Sequence, residues 1–127
     1  MGLEEREDLL MRQIRAVGVM LARILGFRVA GAHEEAAGEL ERAYSELLGP
    51  GPALIRDVDS ATAALLVRDP DKLALLAALT QEEARLLRAQ GNDAAHLEAR
   101  ALDLARAALD RDGRNPIAMR VVEEQGR

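Results

Sequence analysis

The residues that could carry chemistry are few, and their spacing decides what they could do. His33 and His96 are the only histidines. His96 falls three residues after Asp93, on the same helical face, and His33 directly precedes Glu34 and Glu35. Imidazole and carboxylate both ligate divalent cations. Neither histidine, however, has a second histidine or a Glu-x-x-His partner one helical turn away, so each reads as a solvated residue near a helix start. No metal and no cofactor are expected. The carboxylates of residues 34–46 would serve acid–base chemistry only if burial raised a pKa, and their spacing puts most of them on a solvent face. Ser45, Ser60, Thr62 and Thr80 have no Gly-x-Ser-x-Gly context and no His/Asp partner, which leaves nucleophilic catalysis unsupported. Gly49-Pro50-Gly51-Pro52 lacks the lysine of a phosphate-binding loop. No catalytic residue and no enzyme activity are expected.

The arginines offer more. Arg12, Arg15 and Arg23 form a basic stripe along the first helical pattern, and Arg85 and Arg88 form a smaller one. Guanidinium groups in such stripes hold anionic ligands or acidic partner helices, so these five are the candidate partner-binding residues. The competing reading is pairing with Asp8 and Glu82 or with solvent, each pair contributing little.

The elements that must position these groups are all helical. The chain has 127 residues, 49% of them hydrophobic, with Phe27 and Tyr44 as the only aromatics and no tryptophan. Its core is therefore Leu, Ala, Val and Ile packed between closely spaced helices, and β-branched residues never alternate over a strand length. The net charge of −5 is spread over interspersed acids and bases, which disfavours nucleic acid and anionic membranes as partners. The absence of cysteine excludes disulfides and thiol chemistry. No apolar stretch approaches the roughly 20 residues of a membrane span, and residues 1–8 are acidic where a signal peptide is basic. A cytoplasmic protein is the expectation. Lys72 is the only lysine, the bias of a GC-rich bacterial genome.

Residues 4–28 place Leu10, Ile14, Val17, Leu21, Ile24 and Leu25 at spacings of three and four, one face of a long helix. Gly18 inside it is expected to permit tight packing against the next helix. Gly26 and Gly31 bracket the expected helix end. A second helix follows over residues 33–48, with Ala36, Ala37, Leu40, Ala43, Tyr44, Leu47 and Leu48 on its apolar face and Glu34, Glu35, Glu39, Glu41 and Glu46 on its other side. The pair forms an antiparallel hairpin. Gly49-Pro50-Gly51-Pro52 then breaks the chain. One or two short helices follow over residues 53–68, capped by Asp59 or Ser60, with Ala63, Leu65, Leu66 and Val67 as the apolar positions. Asp69-Pro70 opens a helix running to about Gln90 that is apolar nearly all round between Leu73 and Leu79. Gly91 ends it, and Asn92 or Asp93 caps another helix to Arg111. Asn115-Pro116 opens a last, short one.

The organisation is thus one all-α domain over residues 1–127: a first hairpin at 8–49, a connector at 50–68, a second hairpin at 69–112 and a C-terminal segment at 113–127. Residues 31–36 and 89–94 each set a glycine at a hairpin turn and lead into small residues of a second helix, Ala43 in one and Ala101 and Ala105 in the other. This resembles the latter part of a tetratricopeptide (TPR) unit, over about half the chain. Asp8-Leu9-Leu10-Met11-Arg12-Gln13-Ile14, the run from Leu21 to Gly26, Tyr44-Ser45-Glu46-Leu47-Leu48-Gly49 and Asp69-Pro70-Asp71-Lys72-Leu73 also resemble a small family of uncharacterised bacterial all-helical proteins. The resemblance implies antiparallel hairpins in a right-handed array or bundle of five to seven helices, and no known activity. Two hairpins are fewer than the roughly three repeats a solenoid needs. The expected function is therefore a protein–protein interaction or scaffold module, self-associating as a homodimer. The alternative is a small-molecule-binding bundle or sensor with an apolar pocket beside residues 73–79.

Overall fold

A computed structural model describes residues 3–49 and 52–126, and these form seven helices with no strand among the described residues. α1 (Leu3–Val29) and α2 (His33–Leu48) make the first hairpin, and α3 (Pro52–Asp57) and α4 (Ser60–Leu66) the connector. α5 (Pro70–Ala89) and α6 (Ala95–Arg111) make the second hairpin, and α7 (Pro116–Gln125) follows it. The sequence puts Pro50 and Pro52 in a break; Pro50 lies outside the described residues, and Pro52 is the first residue of α3.

Local chemistry explains the element ends. Asp69 Oδ1 accepts the backbone N–H groups of Asp71 and Lys72 at 2.9 and 3.0 Å, and Pro70 supplies no donor that would need a partner. Asn115 caps α7 in the same way, through Ile117 and Ala118. Its amide Nδ2 also donates to Asp71 Oδ1 at 2.7 Å, so the cap of α7 is bonded to the first turn of α5. Asp59 caps α4 through Thr62 N–H at 2.7 Å. The two hairpin turns are built alike. Gly31 (φ +77°) and Gly91 (φ +81°) take the left-handed conformation. In each, the glycine N–H bonds the carbonyl three residues back, and the next N–H bonds the one five back, to Phe27 and Leu87. Gly26, by contrast, lies inside α1 and ends nothing.

α5 is the centre. It packs against α1, α2, α6 and α7, which is why residues 73–77 and Leu79 are all but inaccessible. α1 and α7 flank it on one side, α2 and α6 lie on the other, and α7 is docked through Ala118 and Val121. The two connector helices are too short to bury every apolar residue they carry. Of the apolar residues at α4, Leu65 and Leu66 are exposed, while Ala63, Ala64 and Val67 are buried. The reason is length: seven residues make about two turns, and α4 rests chiefly on α6, along its smaller side chains.

Candidate functional site

The five predicted arginines do not converge. Arg12 and Arg15 are exposed on α1, where Arg15 Nε reaches only the carbonyl of Met11 in its own helix, at 3.4 Å. Arg23 pairs with Glu39 at 3.3 Å. Arg85 joins Glu82 at 3.0 Å to Glu124 at 2.6 Å, tying α5 to α7. Arg88 pairs with Glu98 across the α5–α6 turn. Thus three of the five are engaged within the chain, and Arg12 and Arg15 make no ion pair among the described residues.

Two concave surfaces lie where these elements meet. One is an apolar groove of about 490 Å³ between α1 and α7, with α5 as its floor. Gly18, Leu21, Ala22 and Leu25 form one wall, Leu75 and Ala78 the floor, and Ile117, Arg120 and Val121 the other wall. Glu82 closes one end. Its carboxylate is held by Arg28 Nε and Arg85 Nη1, each at 3.0 Å, so a nearly buried acid is fully paired there. Gly18 does not serve tight internal packing as expected: a Cβ built on it meets no atom within 4 Å, and it faces the open groove. Leu25, assigned to the core by its spacing, is 44% exposed in the same wall.

The other surface is a polar cleft of about 320 Å³ lined by Tyr44, Arg56, Thr80, Glu83, His96 and Arg100 among others. Tyr44 is buried, and its phenol donates to Glu83 Oε1 at 2.7 Å. The Arg56 guanidinium lies 4.1 Å from the centre of the Tyr44 ring and pairs with Glu41 and Glu83. Burial, and then the charge of Glu83, push the Tyr44 phenol far above its ordinary range, so it stays protonated and cannot act as a base at neutral pH. Thr80 Oγ1 donates to the Leu76 carbonyl at 2.7 Å. Arg100 spends its guanidinium on the carbonyls of Ile55 and Val58. Tyr44, Arg56 and Glu83 are therefore satisfied by one another, and Thr80 and Arg100 by backbone carbonyls.

His96 is exposed at this rim, and His33 lies at the start of α2. No three potential metal-ligating side chains cluster among the described residues. Glu39 departs from the expected solvent face. It is 4% exposed, held by Arg42 at 2.7 Å and by Arg23. The Arg42 hydrogen bond, joined by the one from Arg23, outweighs burial and holds its carboxyl below the usual carboxylate range. It remains ionised, which removes it as a proton donor at neutral pH.

Sequence reasoning missed the Tyr44–Arg56–Glu83 triad because its members come from α2, α3 and α5. The one available signal was a tyrosine on an apolar helix face, since a buried phenol needs a partner. The class defined by this fold is an all-helical protein built from two helix hairpins joined by a helical connector, with no helix among the described residues long and apolar enough to cross a membrane. Comparison with family models, curated proteins and solved structures finds no match.

Proposed function

We propose that this protein is an interaction or scaffold module that binds through helix faces and associates with itself. The observation that carries the reading is the uncovered apolar groove between α1 and α7. Apolar walls with a charged rim are the form in which a surface takes an amphipathic helix. The order of packing supports it further: α1 pairs with α2, α5 with α6, and α1, α5 and α7 lie side by side. In a TPR-like reading α1, α5 and α7 are the first helices of successive units, and the groove is the inner surface they share. The small-molecule alternative needs an apolar pocket beside residues 73–79, which would be this same groove; in the polar Tyr44 cleft a ligand would have to displace hydrogen bonds already made.

Sedimentation or light scattering across the micromolar range tests this. Concentration-dependent association is expected, and Ala78→Glu in the groove floor is expected to abolish it while circular dichroism stays helical. A wild-type chain that remains strictly monomeric throughout removes self-association.

A further inference from the structure

Resting on that reading, we infer that the groove is filled by α1 of a second copy, packed antiparallel against α1 of the first. α1 carries two parallel seams. The inner one, through Leu10, Ile14, Val17, Leu21 and Ile24, faces the body of the protein. The outer one is the same pattern moved by one residue: Met11, Arg15, Gly18, Ala22, Leu25 and Val29, all exposed. Its alternating spacings of four and three are the geometry of a helix-on-helix seam crossing at about 20°. Nothing among the described residues covers the outer seam: Gly18 meets no neighbour and Val29 is 74% exposed.

Area points to a second copy. A compact monomer of 13.8 kDa exposes about 6,600 Å², whereas this chain exposes 7512 Å². The surplus, about 900 Å², matches the roughly 800 Å² that each partner contributes to a standard interface. Of the nine large apolar side chains exposed among the described residues, five lie on α1, and three of these, Met11, Leu25 and Val29, belong to the outer seam.

Order and charge fix the direction. Turned antiparallel about the midpoint of Gly18 and Ala22, the seam complements itself. Gly18 meets Ala22 of the second copy, Met11 meets Val29, and Arg15 meets Leu25. The small pair at the centre allows close approach of the two helices, and the larger side chains pack at both ends. In the parallel alternative, Arg15 would face Arg15, a like-charge contact in the middle of an apolar seam. The pairing is two-fold and closes on itself, so it yields a dimer and not a filament.

The absence of cysteine makes the test clean. Arg15→Cys and Leu25→Cys chains, mixed and oxidised, are expected to form the mixed disulfide in preference to either homodisulfide. Gly18→Leu, whose side chain enters open space in the monomer, is expected to weaken dimerisation by about tenfold or more with helicity unchanged. Ala22→Leu serves as the second variant should Gly18→Leu fail to fold. A dimer that yields no mixed disulfide, or that Gly18→Leu or Ala22→Leu leaves intact, overturns this pairing but not self-association. Homodisulfides of Arg15→Cys in place of the mixed product overturn the antiparallel direction. A wild-type monomer at micromolar concentration overturns both, and leaves the groove to a foreign helix.

Discussion

Arg100 and Arg111 lie about three turns apart on one face of α6, and each closes the carbonyl end of a different short helix. Arg100 donates to the carbonyls of Ile55 and Val58 at 2.8 and 2.6 Å, at the end of α3. Arg111 donates to those of Val67 at 2.6 Å, Arg68 at 3.0 Å and Ala64, at the end of α4. A helix end leaves four carbonyls without intrahelical partners, and a cation there also meets the negative end of the helix dipole. The connector therefore owes its shape to α6 more than to its own sequence.

Replacing Arg111 by alanine should then destabilise the protein by about 1–2 kcal/mol. Hydrogen exchange should show the loss confined to residues 60–68, with α5 and α6 still protected. Arg111→Lys should restore less than half of it, because an ammonium group cannot span three carbonyls as a planar guanidinium does.

Tyr44 is the only tyrosine in a chain without tryptophan, so its ionisation can be followed alone. Burial raises its pKa in the folded state, so the neutral phenol contributes stability that is intact below the unfolded value of about 10 and lost as pH rises above it. Tyrosinate absorbance should be absent near pH 10 and emerge only together with loss of the helical circular-dichroism signal. A simple titration near pH 10 in the still-helical protein would contradict the buried Tyr44–Glu83 bond.

Glu39 works in the opposite window. Its folded-state pKa lies below the ordinary value, chiefly through the bond from Arg42. The stability it contributes is present above the unfolded value of about 4.3 and is lost as pH falls through the folded one. Urea midpoints of wild type and Glu39→Gln should therefore differ at pH 7 and draw together only as pH falls below the ordinary carboxylate range. Salt should shrink the difference only modestly, since the carboxylate is buried although both arginines are exposed.

Gly18 and Gly91 separate space from backbone conformation. Neither has an atom within 4 Å of an added Cβ, but only Gly91 has a positive φ. Gly18→Ala should stabilise the dilute protein by about 0.5–1 kcal/mol through helix propensity. Gly91→Ala should destabilise it by about 1–2 kcal/mol, the cost of a left-handed conformation for an L-residue. Thermal unfolding of the two variants at low concentration reads both signs directly.

What the sequence by itself determined is what local chemistry closes within one or two turns. Asp69-Pro70 and Asn115-Pro116 had to start helices because side chain and proline act on the next three residues. Gly31 and Gly91 had to end them because each helix closes on carbonyls three and five residues back. The burial of residues 73–77 was legible too, since a helix apolar all round must be surrounded. Only the tertiary structure decided which neighbours each face received. Leu25, Leu65 and Leu66 fit an apolar pattern yet stand exposed, because periodicity marks a stripe but not how wide a stripe the neighbours cover. Gly26 has the residue type of a helix end but not the position, since α1 continues one more turn. Glu39 shares its side of α2 with the core because two arginines neutralise it there. Tyr44, Arg56 and Glu83 meet because α3 is held in place by Arg100, through bonds reaching more than forty residues along the chain. The outer seam of α1 was in the sequence throughout, but only the fold showed that nothing among the described residues covers it.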